Sequence, residues 1–336
     1  MKPPPLTTLL SLASLLSPAD SHGHGHAHAH NHKGHKPHTH GSRAIPSRGL
    51  DSGLNKPLLT GYSLTWHEEF TYAPNGATQP STAKWVYETD SAYTYPGRPR
   101  DWGVNAELGV QSYSDDPAVI AITKAGTLRI TPQKQRGQGR DGWVGARIET
   151  VRGDFMAERG GKVFVEARVR TCASSASSAP EEQGIASSFR LYALGDEFRA
   201  YEDAMCLNWP AASEWDIASV LHGQNAVHHA LHCGSAPGGP CKEFEGLGGS
   251  ARWSDCDWHY VGFEVDRTRL DGAGVEEWRE NRLNWYVDGE KTFSVAGADV
   301  GDWGAWERVA HRGHFLVVDG AGEVEVEVDY VRVWNR

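Results

Sequence analysis

After about residue 58, apolar and polar residues alternate along much of the chain. "GTLRITPQ" (126–133), "KVFVEARVR" (162–170), "HYVGFEVDR" (259–267), "LNWYVDGEKTFSV" (283–295) and "VEVEVDYVRVW" (324–334) all repeat with period two. That period marks strands with one face buried. Asp288-Gly289 inside the fourth segment predicts a hairpin turn. Helical spacing is confined to two short stretches. One is "VEEWREN" (275–281); the other is "DWGAWERVAHRG" (302–313), where Asp302 is placed to cap. Many strands at regular spacing with little helix predict an all-β fold of sandwich or jelly-roll type. "TCASSASSAPEEQG" (171–184) is too polar and Ser-rich for a strand and reads as a surface loop.

The first 58 residues have a different pattern. Residues 1–19 carry Lys2, a Leu-rich run from Leu6 to Leu16 and a small residue at Ala19, which reads as a secretory signal. The run is about 11 residues, too short to span a bilayer. Residues 20–58 form a linker, and nine of the chain's 17 histidines fall within 22–41. Such a tract cannot bury a core. It is either a zinc or copper binder or a solvated linker; both readings stand. Residues 59–336 remain as one domain of sufficient length for a large core. No later segment is apolar enough to cross a membrane, so the expectation is a secreted protein, extracellular or in the cell wall, and monomeric.

A net charge of −10 argues against nucleic-acid binding. Thirteen tryptophans lean toward a carbohydrate-facing surface, since indoles stack on sugar rings. Of five cysteines, Cys233 and Cys241 flank a Gly/Pro-rich turn and are expected to pair. The odd count leaves at least one thiol free.

The candidate chemistry lies in "NWPAASEWDIASV" (208–220). Alternation puts Glu214 and Asp216 on one face of a strand. Two adjacent carboxylates disfavour each other's ionised forms, so one pKa should rise. A solvated strand face is the bland alternative.

An ordered series of segments then resembles glycoside hydrolase family 16, the laminarinase and lichenase group, nearest its secreted fungal branch. These segments are "LTWHEEF", "DWGVNAELGVQSY", "WVGARIETVRGDF", "GIASSFRLYALGDEFR", "NWPAASEWDI", "LHCGSAPGGPC", "DWHYVGFEVD", "WYVDGEKTFSVAGADVG" and "EVDYVRVW", from Leu64 to Trp334. The resemblance implies a concanavalin A-like β-jelly roll of two curved antiparallel sheets, a β-glucan substrate, retaining hydrolysis and no required cofactor. Glu214 then matches the nucleophile and Asp216 the assisting aspartate. The second carboxyl of a retaining pair must lie about 5–5.5 Å away, at i+4 on a regular strand or at i+5 past a β-bulge. Those positions hold Ala218 and Ser219, so the general acid is missing in either register.

Two other departures accompany this. Ala186 and Ser187 stand where the family has a Trp-Pro pair. The chain also runs from Phe315 almost directly into the last strand, so a stretch of the cleft sheet is expected to be absent. Asn105 and Glu107 share a face and match cleft-lining positions, against a strand-edge pair as the alternative. Arg147 and Glu149 share an inward face, where Arg147 either binds sugar hydroxyls or neutralises the acidic centre. Trp102 and Trp209 are stacking platforms or core. Asp329 matches a position that binds calcium in some members; a salt bridge is the alternative.

Overall fold

The structure is a computed structural model describing residues 59–71, 78–89, 111–136, 141–173, 189–199, 209–221, 224–235, 238–242, 245–322 and 324–336. The signal segment, the His-rich tract, Trp102, Asn105, Glu107, Ala186, Ser187 and the 174–184 part of the polar loop lie outside these residues, as does Cys206.

The described strands are, in chain order, β1 (Ser63–Glu68), β2 (Trp85–Glu88), β3 (Gln111–Tyr113), β4 (Ile120–Ile122), β5 (Leu128–Ile130), β6 (Gln133–Arg136), β7 (Asp141–Thr150), β8 (Lys162–Ala173) and β9 (Phe189–Gly195). They continue with β10 (Glu214–Val220), β11 (Ala226–His232), β12 (Leu247–Arg252), β13 (His259–Asp266), β14 (Arg282–Val287), β15 (Glu290–Ala296), β16 (His314–Gly320) and β17 (Val324–Asn335). Two helices, α1 (Gly297–Val300) and α2 (Trp303–His311), lie between β15 and β16.

These strands form a jelly-roll sandwich. One sheet runs β15-β14-β13-β8-β17-β5-β4, with β1 on β17; the other runs β12-β11-β10-β9-β16-β7-β2, with β3 and β6 on β7. Pairing is antiparallel except between β3 and β7. Sequence-distant strands sit side by side, so this is a long-range topology and not a series of hairpins. The sheets meet through their apolar faces. Trp215 of the second sheet lies 4.8 Å, ring centre to ring centre, from Phe263 of the first, and Phe263 lies 4.9 Å from Trp285. All three are fully buried.

The period-two segments are strands β5, β8, β13, β14, β15 and β17. Asp288 and Gly289 both take positive φ, 49° and 86°, at the turn between β14 and β15. That is the mirror-image turn which matches the twist of a hairpin. Asp302 caps α2, its carboxylate accepting from Ala305 N at 2.7 Å.

The helix expected over 275–281 does not form. The Glu276 carboxylate instead accepts from Arg267 Nε at 3.0 Å and from Asn281 Nδ2, and Leu270 bridges Glu276 as extended backbone. Trp278 packs edge-on against Trp303 of α2. These long-range partners outweigh a weak local preference. The expected gap in the second sheet is also corrected. β16 fills the place between β9 and β7, paired along its length with β9, and only residues 321–323 separate it from β17.

Cys233 pairs with Cys241, as expected. Cys172 pairs with Cys256, tying β8 to the turn before β13.

Candidate active site

β10 is not a regular strand. Against β9, Asp216 faces Tyr192 and the next partner pair is Ala218 with Leu191; against β11, Asp216 faces Ala230 and the next pair is Ser219 with His228. The strand therefore bulges after Asp216. A bulge leaves carbonyls without ladder partners, and buried carbonyls need donors. Two side chains supply them. Trp285 Nε1 donates to Asp216 O at 2.8 Å, and His229 Nδ1 donates to Ile217 O at 2.8 Å. The Thr292 hydroxyl, 3.0 Å from His229 Nε2, completes a neutral tautomer, and burial holds this histidine below its ordinary pKa.

The bulge fixes which residues share the site. Trp215, Ile217 and Ala218 turn into the core. Asp216 and Ser219 line a groove of about 570 Å³ together with His228 and His232 of β11, Glu245, and Gly248 to Ser250 of β12. Of the two positions offered by sequence, 219 is thus the one on the face of Asp216.

Glu214 opens β10 and is almost fully buried. The residue before it, Ser213, has φ of 67°, a left-handed conformation that costs a non-glycine residue about 1–2 kcal/mol. Its Oγ donates to His314 Nε2 at 2.6 Å, which anchors the turn. Glu214 Oε2 accepts from Trp209 Nε1 at 2.6 Å, and Oε1 accepts from Arg190 Nη2 at 2.5 Å. The same Nη2 lies 3.1 Å from Asp216 Oδ1, and His232 Nε2 is 3.3 Å from Asp216 Oδ2. Trp209 therefore meets the site by its indole edge, while its body packs on a cluster that includes Leu194, Phe198 and Phe315.

The two carboxyls are pushed apart in acidity. Burial drives Glu214 above the ordinary value and Asp216 adds to the push, while Arg190, His232 and the Trp209 bond pull against it. Burial also acts to raise Asp216, but Arg190 and His232 outweigh it and hold this carboxyl well below the usual range. The arrangement pairs one carboxyl that resists ionising with one that stays ionised, the divergence expected for neighbours in unlike environments.

The strand register extends the site across the sheet. His228, Ser219, Arg190, Asp319, Arg147 and Glu88 form one cross-strand row over β11, β10, β9, β16, β7 and β2. Burial raises Asp319 above the ordinary carboxylate value, against a smaller downward pull from Arg190 and Arg147. Arg147 is 2% exposed, and its Nη2 donates to Glu149 Oε1 at 2.6 Å. That burial favours the neutralising role for Arg147 over sugar contact. Asp329 lies elsewhere: its Oδ2 accepts from Arg168 at 2.9 Å. A guanidinium in that place does not fit a calcium ion, and among the described residues no cluster of three acidic, His or Cys side chains could hold a metal.

Arg190, Tyr192, His232 and Asp319 were not singled out from sequence. Their signal was available in part: Arg190 and Tyr192 alternate in "SSFRLYALG" as the site face of a strand must.

Solved structures of β-glucanases share this two-sheet fold. The endo-1,3-β-glucanase from Streptomyces sioyaensis is similar at a TM-score of 0.65 and 26% identity, covering 88% of this chain and 99% of its own. The laminarinase from Rhodothermus marinus is similar at 0.55 and 23%, covering 81% and 97%. A non-specific endo-β-1,3(4)-glucanase from family GH16 is similar at 0.53 and 19%, covering 87% and 93%. No protein-family model and no curated protein matches the chain. The resemblance read from the ordered segments and the structural neighbours agree on the fold.

Proposed function

We propose that the protein is exported and binds β-glucan chains in the groove of its second sheet, on the scaffold of a retaining endo-β-1,3-glucanase, and cleaves natural polysaccharide weakly or not at all. One observation carries the reading: past the bulge, the residue on the face of Asp216 is Ser219. Retaining hydrolysis needs a carboxyl to protonate the leaving oxygen while a second one attacks the anomeric carbon. Glu214 is present for the attack. A serine hydroxyl has no useful acidity near neutral pH, and a positioned general acid contributes about 10²–10⁴-fold. A polysaccharide leaving group, a poor one, feels that loss in full.

Binding has separate requirements. An open polar groove with histidines on its wall and glycines along β12 suits a hydroxyl-rich chain. The leader segment and two disulfides suit an oxidising compartment outside the cytosol.

The test is a pull-down on insoluble β-1,3-glucan with reducing ends measured in the same tubes. Retention on the glucan without reducing-end release supports the reading. Release at the rate of an ordinary glucanase, or no retention at all, overturns it.

A further inference from the structure

Position 219 explains a missing proton donor, but it leaves Arg190 without a role. This residue projects from β9 between Ser219 and Asp319 in register, and its guanidinium lies 4.1 Å from the Tyr192 ring centre. The guanidinium bridges Glu214 and Asp216, at 2.5 and 3.1 Å. A carboxylate attacks the anomeric carbon through an oxygen lone pair, and each donor bound to that oxygen draws charge from it and weakens the attack. Here Oε1 of Glu214 is held by Arg190 and Oε2 by the Trp209 indole, so both oxygens carry a donor. Charge-assisted bonds of this length are the strong ones.

We propose that Arg190 is a positioning residue that keeps Glu214 out of nucleophilic use, a second block on cleavage that is independent of Ser219. The proposal rests on Glu214 being the attacking carboxylate in the function above. It makes the site doubly impaired: the acid position lacks its proton, and the attacking carboxylate carries a strong donor on each oxygen.

A substrate that needs no proton isolates the second block. With 2,4-dinitrophenyl 2-deoxy-2-fluoro-β-laminaribioside, a Glu214 oxygen forms an ester bond to the anomeric carbon. The bond to dinitrophenolate breaks, and the phenolate leaves with the electron pair. The fluorine slows turnover, so the adduct persists and is read as a mass increment on the intact protein, beside the yellow phenolate.

The unaltered protein should label slowly. Arg190→Gln should label at least about tenfold faster, the scale of one charge-assisted bond removed. Arg190→Lys, which offers a point charge and no fork, should fall between them. The acid limb of labelling should move to higher pH in Arg190→Gln, because Glu214 then faces Asp216, His232 and Trp209 without the guanidinium that favours its ionised form. The labelling rate on the plateau above that limb is the readout that a merely structural arginine would not raise.

Equal labelling rates in variants that still bind glucan overturn the proposal, as does rapid labelling of the unaltered protein. Should Arg190→Gln not fold, the lysine variant and the parent rate decide the matter. Failure of the parent to bind glucan strikes the functional reading instead, so the two failures are told apart by the pull-down.

Discussion

Trp209 and Glu214 are joined through the indole N–H and a carboxylate oxygen at 2.6 Å, across a turn of only a few residues. The bond orients the carboxyl and favours its ionised form against the burial that opposes it. Trp209→Phe keeps most of the apolar contact and removes the donor. A hydrogen bond to a buried charged group contributes about 1.5–3 kcal/mol, so unfolding free energy at pH 7 should fall by about that amount. The Glu214 pKa should rise further. Denaturant unfolding checks the first expectation and the acid limb of covalent labelling the second. A variant indistinguishable from the parent in both would show that the bond contributes nothing.

Ser219 faces Arg190 directly across β10 and β9. A glutamate placed at 219 would therefore meet a guanidinium, which lowers its pKa and spoils it as a proton donor. Ser219→Glu alone should raise reducing-end release from laminarin only slightly. Ser219→Glu with Arg190→Gln should recover much of the about 10²–10⁴-fold owed to a general acid. If the single variant already reaches the rate of the double, Arg190 has been assigned the wrong role. No gain in either would place the lesion outside position 219.

How far could this have been seen in the sequence? The period-two runs yielded most of the first sheet, because its strands have one covered face and one wetter one. β16 was misjudged for the converse reason. All seven of its residues are buried, so "HFLVVDG" shows no alternation to mark it as a strand. Glu214 and Asp216 were legible as a pair, but the bulge was not. The carbonyls it frees are met by two side chains, Trp285 of β14 and His229 of β11. Those residues lie 69 and 12 positions away in sequence, beyond any local pattern. Arg190 escaped notice because its meaning depends on which strand lies beside it.

The two disulfides close loops of different length. Cys172 and Cys256 are 84 residues apart, and Cys233 and Cys241 only 8. On the chain-entropy account, longer loops stabilise more. Replacing both Cys172 and Cys256 by serine should cost about 4–5 kcal/mol, against about 2–3 kcal/mol for the shorter pair. Denaturant unfolding of each double-serine variant checks the order. A larger loss from the short loop would mean that local strain or packing, not loop closure, sets the effect.

His314 should make the fold acid-sensitive above the range where most carboxylates titrate. It is fully buried, its ring stacks on Trp215 at 3.5 Å, and its Nδ1 donates to Arg312 O. Burial pushes its pKa down to about 3. The unfolded chain binds this proton near pH 6.5, about the value of a free imidazole. Between those limits the unfolded state carries more protons, so stability is complete above about pH 6.5 and falls as the pH drops toward 3. One such proton gives a slope of at most about 1.4 kcal/mol per pH unit. Asp216, depressed by Arg190 and His232, adds the same sign of loss once the pH passes below the ordinary aspartate value. Glu214 acts in the opposite direction, since its raised pKa means that protonation relieves the native state. The decisive quantity is therefore the difference between the parent and His314→Gln. That variant should be less stable at pH 7, where the ring's stacking and its bond to Ser213 are lost, yet its stability should decline less steeply from pH 6 to pH 4, by about one proton. Parallel curves would show that His314 already carries its proton in the native state.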